Sequence, residues 1–271
     1  MDKFIIQGGI PLRGEVTPSG NKNAALPLLA ATTLTSEPVI LHNLPEINDV
    51  KTMRALLESI GVEVTHIKDH SWKFHAKEIR TSDLDPDLCS KIRASVLLAG
   101  PVIARTGELI LPPPGGDVIG RRRLDTHILA LEALGVNTSY DKSKNLFEFR
   151  TDRLTGTDIL LDEASVTATE NAVMAAVTAE GATIIRNAAS EPHVQEVCQL
   201  LNLLGANITQ IGSNTLRIEG VEKLSGGEFS VGPDYLEVIS YVGAAVLTGG
   251  EITVRQASPE YLPMIEQVFS R

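Results

Sequence analysis

Leu56-Leu57-Glu58-Ser59-Ile60-Gly61-Val62-Glu63-Val64 decides the fold, because the chain says it three times. It returns as Leu131-Glu132-Ala133-Leu134-Gly135-Val136-Asn137 and again as Leu200-Leu201-Asn202-Leu203-Leu204-Gly205-Ala206-Asn207-Ile208. Each copy reads as helix, glycine stop, strand. Apolar residues at helical spacing run up to a glycine that can take the left-handed position past a helix end, and a strand-forming stretch follows.

Working outward, each phrase is preceded by an apolar, alanine-rich helix, a break and a strand. These are Ala24 to Leu34 before Val39-Ile40-Leu41, Ala94 to Ala104 before Glu108-Leu109-Ile110-Leu111, and Ala172 to Ala179 before Thr183-Ile184-Ile185. A short strand is expected to open each unit, at Gly14 to Thr17, Lys77 to Arg80 and Thr157 to Leu161. Hairpins such as Val62 to Ile67 with Trp72 to His75 complete it. The unit is βαβαββ with a period of about 70 residues, too long for a solenoid of single hairpins or helix pairs. It suits a few units packed around shared apolar helices in one closed α/β domain.

A fourth copy begins at Glu228-Phe229-Ser230-Val231, with an apolar helix from Tyr235 to Leu247, a strand Glu251-Ile252-Thr253-Val254 and a second helix near Glu260. Arg271 falls where its glycine phrase is expected, so the reading is of a chain that stops inside its fourth repeat. The alternative is that this half-unit caps the first three.

The 271 residues are 43% hydrophobic and 21% charged, as in a soluble globular protein with one large or two modest cores. No apolar run is long enough to span a bilayer, and Met1 to Ile6 lacks the features of a signal peptide, so the expected location is the cytoplasm. Cys89, Cys198 and the six histidines show no disulfide framework and no metal-ligand spacing. A net charge of −10 argues against a duplex nucleic-acid surface. An anionic small molecule stays open, provided that a local group of cations stands out from the acidic background.

Three such groups do. Ser19-Gly20-Asn21-Lys22-Asn23 precedes the first apolar helix, where amides, helix dipole and a lysine together favour an anion; a solvated lysine beside an ordinary cap is the other reading. Pro112-Pro113-Pro114-Gly115-Gly116-Asp117-Val118-Ile119-Gly120-Arg121-Arg122-Arg123 is a glycine-bracketed loop with one carboxylate and three guanidiniums: a lid over an anion, or a turn followed by an exposed charge run. Arg93 opens the apolar helix of the second unit as Lys22 opens that of the first.

Gly20-Asn21-Lys22-Asn23-Ala24-Ala25-Leu26-Pro27, Arg93-Ala94-Ser95, the Pro114-Gly115-Gly116 loop running into Arg122 and Asp125-Thr126-His127, and the repeat itself resemble the UDP-N-acetylglucosamine 1-carboxyvinyltransferases over the whole chain. The sister family that makes enolpyruvylshikimate phosphate usually has Gly-Ser-Lys-Ser where this chain has Gly20-Asn21-Lys22-Asn23. The resemblance implies an inside-out α/β barrel of βαβαββ repeats, with one complete domain at 20–228 and part of a second in 1–19 and 229–271. It implies transfer of the enolpyruvyl group of phosphoenolpyruvate to the 3-hydroxyl of UDP-N-acetylglucosamine in peptidoglycan synthesis, with no metal or other cofactor. Lys22, Arg93 and Arg122 would hold the enolpyruvate phosphate, with Lys22 also catalytic, and Asn23 the sugar side. Arg122, Leu124, Asp125 and His127, with Ser165, Val166 and Thr167, would line the nucleotide pocket.

Three departures mark this sequence within that resemblance. Asp117 stands where most of the family has its loop cysteine, so the loop acid would be a carboxyl group and a thiol-directed epoxide such as fosfomycin would find no thiol there. Arg123 replaces a usual proline, and Thr167 a usual glycine. The family's aspartate base and further arginines lie in repeats beyond the fourth.

Overall fold

The structure, a computed structural model, describes residues 3–116 and 123–270. In chain order its elements are β1 (Arg13–Val16), α1 (Lys22–Ala31), β2 (Val39–His42), α2 (Asn48–Ser59), β3 (Glu63–Lys68), β4 (Ser71–His75), α3 (Pro86–Cys89), α4 (Ala99–Thr106), β5 (Glu108–Leu111), α5 (Asp125–Ala133), β6 (Asn137–Asp141), β7 (Leu146–Arg150), β8 (Asp158–Leu160), α6 (Val166–Ala176), β9 (Ala182–Arg186), α7 (Pro192–Leu203), β10 (Asn207–Thr209), β11 (Thr215–Glu219), β12 (Gly227–Ser230), α8 (Tyr235–Thr248), β13 (Glu251–Val254) and α9 (Pro263–Phe269). Short 3₁₀ turns occupy Thr32–Leu34, Arg93–Leu98 and Pro259–Tyr261. The chain divides into two compact units, Lys22–Val231 and a smaller one made of Met1–Asn21 with Gly232–Arg271.

The larger unit is three repeats built to one plan. Each second helix ends the same way: Gly61, Gly135 and Gly205 sit at φ of 105°, 97° and 104°. The glycine amides bond to Glu58, Glu132 and Asn202, and the next amides reach back to Leu57, Leu131 and Leu201, all at 2.9–3.1 Å. This paired closure satisfies carbonyls the helix end would leave open and turns the chain into the following hairpin.

The repeated apolar helices form the centre. Ala24 to Ala31 of α1 and Ala168 to Ala176 of α6 are buried without a break, and the second repeat buries Ala94 to Ile103 through a 3₁₀ turn that runs on into α4. A helix apolar on every side has no solvent face and belongs inside. The sheets lie outside: strand order β12-β2-β4-β3 for the first repeat, β5-β7-β6 for the second and β8-β9-β11-β10 for the third. Their outer faces carry the polar alternation of β3 and β6. Helices within and sheets without make this the inside-out α/β fold.

Two expectations about opening strands, and the boundary expected at 228, need correction. Lys77 to Arg80 forms no strand; that edge of the second sheet shrinks to one parallel bridge, Asp83 with Ile110. Three charges among four residues leave Ile79 alone to pack on the core. The strand near Gly14 to Thr17, expected from its position to open the first repeat and from the resemblance to belong with residues 229–271, pairs in parallel with β13. The edge it was expected to supply comes instead from β12, which pairs in parallel with β2 from Gly227↔Val39 to Ser230↔His42. A boundary at 228 would thus cut through β12.

In the smaller unit, β1 and β13 register from Arg13↔Glu251 to Val16↔Val254. Asp234 caps α8, its Oδ1 accepting from the Leu236 amide at 2.8 Å, and α8 ends on left-handed Gly249. The Ser19 amide and hydroxyl both donate to Glu237 of the first turn, at 2.8 and 2.6 Å. Leu236, Val246 and Leu247 of α8 are exposed.

Candidate active site

The three equivalent apolar helices of the larger unit start at Lys22, Arg93 and Val166, and all three residues line one cleft of about 440 Å³. Helix N-termini present unsatisfied amides and the positive end of the dipole, so one repeated element supplies the same electrostatic bias from three directions. Lys22, Asn23, Leu26 and Pro27 come from α1, Asp49 from the first turn of α2, and Lys91 and Arg93 from the second repeat. Val166, Thr167 and Glu170 of α6 and His193 of α7 complete the lining with Gly116. A second cleft of about 480 Å³ shares Arg93, Val166 and Thr167 and adds Arg123, Asp125, Thr126, His127, Asp162 and Ser165.

Lys22 is half exposed and ion-paired with Asp49. An exposed pair of this kind is worth at most about 1 kcal/mol, so a dianion in the cleft can compete for the ammonium. Arg93 donates from Nη2 to the Arg123 carbonyl at 3.0 Å, while the Arg123 side chain pairs with Asp125 at 2.5 Å. The glycine loop is seated from its first side: the Gly115 amide donates to the Cys89 carbonyl at 2.9 Å, and a Cβ on Gly115 would meet the Ser90 oxygen at 1.6 Å.

His127 sits almost wholly buried on α5 between two partners. Asn171 fixes the geometry: its Oδ1 accepts from the Gly100 amide at 2.8 Å, which orients the amide so that Nδ2 donates to the Val96 carbonyl and to His127 Nδ1, both at 2.8 Å. The histidine proton therefore resides on Nε2, 3.1 Å from Thr167 Oγ1. Burial, and secondarily the Arg93 charge, push the imidazole down to about 3. It is a neutral donor that holds Thr167. Ser165 caps α6 by accepting from the Ala168 amide, and Thr126 donates to Asp162 at 2.7 Å.

Of the residues singled out from the sequence, Lys22, Asn23, Arg93, Val166 and Thr167 meet at the first cleft, and Arg93, Asp125, His127, Ser165, Val166 and Thr167 at the second. Leu124, at the start of α5, is half-buried and packs against the core. Asp117 and Arg122 lie outside the described residues. The sequence reading missed Asp49, Lys91, Glu170 and His193. Glu170 had a signal, a carboxylate within the alanine-rich run from Ala168 to Ala176. Among the described residues no group of three or more His, Cys, Asp or Glu could hold a metal.

This layout is that of the enolpyruvyl transferases. The structure matches NikO, an enolpyruvyl transferase from Streptomyces tendae, with a TM-score of 0.76 at 23% identity over 88% of this chain and 56% of that one. It matches EPSP synthase from Acinetobacter baumannii with a TM-score of 0.71 at 18% identity over 92% and 56%. At such identities the likeness fixes the fold alone. Residues 6–270 match the family described as EPSP synthase (3-phosphoshikimate 1-carboxyvinyltransferase), and the chain belongs to that family. Its similarity extends to UDP-N-acetylglucosamine 1-carboxyvinyltransferase of Treponema denticola, 52% identical over all of this chain, and of Bradyrhizobium diazoefficiens, 50% identical over 99% of it. The chain spans 63% and 62% of the length of these two relatives.

Proposed function

We propose that this chain serves the transfer of the enolpyruvyl group of phosphoenolpyruvate to the 3-hydroxyl of UDP-N-acetylglucosamine, with release of phosphate, in cytoplasmic peptidoglycan synthesis. The observation that supports it most is the meeting of Lys22 and Arg93, opening equivalent helices of two repeats, at one cleft of a chain whose net charge is −10. Such a focus of positive charge suits a phosphorylated carboxylic acid.

In this reading Lys22 and Arg93, joined by Arg122, bind the phosphate and stabilise it as it leaves. The sugar hydroxyl oxygen adds to C2 of the enol, its proton passing to the aspartate base that the resemblance implies in repeats beyond the fourth, as C3 takes a proton from Asp117; the C–O bond to phosphate then breaks as C3 gives a proton back. Asn23 faces the sugar. Thr167, held by neutral His127, donates toward the nucleotide side, with Ser165 and Asp125 nearby in the second cleft.

The test is phosphate release from phosphoenolpyruvate, in the protein at its relatives' full length, with two acceptors offered separately. Release is expected with UDP-N-acetylglucosamine and not with shikimate 3-phosphate; the reverse result overturns the reading. Lys22→Met is expected to lower kcat/KM roughly 10²–10³-fold, the usual scale for losing one charge-stabilising group.

A further inference from the structure

Glu170 has no place in the reaction just described, yet it lies on the wall of the same cleft. It is 1% exposed, and its Oε1 finds no hydrogen-bond partner among the described residues. A buried polar atom without a partner costs about 1–3 kcal/mol, which makes an unfilled carboxyl oxygen at a cleft a mark of something that arrives there. We propose that the Glu170 carboxyl is a further contact for an oxyanion in this cleft, donating its O–H alongside the charges of Lys22 and Arg93. The proposal rests on the reading that the cleft takes an oxyanion, and adds a neutral acid to the groups that recognise it.

The surroundings of α6 favour the protonated form. Burial, and then the Glu191 carboxylate, hold the Glu170 proton well above the usual carboxylate range. From α7 His193, whose imidazole burial pushes down, lines the same cleft, and Cys198 has its thiol pushed up to about 12 by burial and then by the Glu170 charge. On α5, Asp125 and neutral His127 line the adjoining second cleft, while α1 and the second repeat offer Lys22 and Arg93 to the first. The sheet behind α6 turns uncharged Thr183, Ile185, Leu216 and Ile218 inward. A protonated carboxyl donates to an anion, whereas its carboxylate repels one. Affinity should therefore fall as pH rises and Glu170 ionises, by about tenfold per pH unit for a single linked proton.

Sulfate is the suitable probe, since its own charge does not change near neutral pH. Calorimetric titration of this chain with sulfate, carried upward from pH 6 until the infrared band of the protonated carboxyl shows Glu170 ionising, is expected to show that loss. Glu170→Gln, which keeps an N–H donor and cannot ionise, is expected to bind at pH 6 within a few fold of the unsubstituted chain and to show no such slope. A slope that survives in Glu170→Gln overturns the proposal while leaving the cleft's reading intact. Sulfate binding that is absent, or indifferent to Lys22→Met, overturns both. Should Glu170→Gln not fold, infrared spectra of the unsubstituted chain decide: the protonated carboxyl stretch must shift when sulfate is added, and a stationary band overturns the proposal.

Discussion

Asn171 shows how much one side chain settles. It joins α4 to α6 through the Gly100 amide and the second repeat through the Val96 carbonyl, and it dictates the tautomer of His127. Because the folded imidazole titrates at about 3 against an ordinary 6.5, its contribution to stability is complete above about pH 6.5 and is lost as pH falls toward 3. The slope is about 1.4 kcal/mol per pH unit. Denaturant midpoints between pH 7 and pH 4 should fall accordingly, and His127→Gln should be less stable at pH 7 but flatter with pH. The Asp117 position makes another residue-scale expectation. In the full-length protein, Asp117→Cys should create time-dependent inactivation by fosfomycin where the unsubstituted protein shows none; an unchanged response removes Asp117 from the role of loop acid. The cations at Lys22 and Arg93 were legible because they occupy matched repeat positions. Glu170 was not singled out, since its environment comes from α7 and the second repeat, which the run Ala168 to Ala176 does not reveal.

The elements divide into those that local sequence determines and those that it does not. Each glycine phrase contains its own instructions, and the three helix ends close with the same two hydrogen bonds. The central helices were equally legible, because uninterrupted apolar character has one consequence for burial. Their contact is closer than composition suggests. A Cβ on Gly100 of α4 would lie 2.4 Å from the backbone oxygen of Asn171 on α6, a neighbour unable to swing aside. Gly100→Ala should thus cost about 1–3 kcal/mol, read as a lower denaturant midpoint with an unchanged slope. The second sheet's missing edge went unforeseen for the opposite reason: Lys77 to Arg80 looks like its counterparts only by position in the repeat, and its charges forgo the alternation that would seat it.

For the larger unit the organising fact is that its first sheet is completed by its last strand. The Asn43 side chain donates to the Val231 carbonyl across 188 residues, the Val231 amide returns a bond to His42, and Val231 is buried. No local pattern marks this pairing, because a strand's side chains specify which face is buried and not which edge it will join. A fragment of residues 22–231 is expected to unfold in one cooperative transition. A fragment of residues 22–224 leaves β2 with an open edge and should show a lower midpoint and concentration-dependent aggregation. Equal midpoints for the two fragments would make β12 dispensable.

That late closure has a consequence during synthesis. A ribosome adding about 5–20 residues per second delivers β12 roughly 10–40 s after β2 has emerged. For all that interval the nascent chain exposes a strand edge that nothing yet translated is built to cover, so the first repeat to be made is the last to be sealed. The period of greatest risk for this protein thus falls before it is released, when chaperones that bind the emerging chain can shelter it.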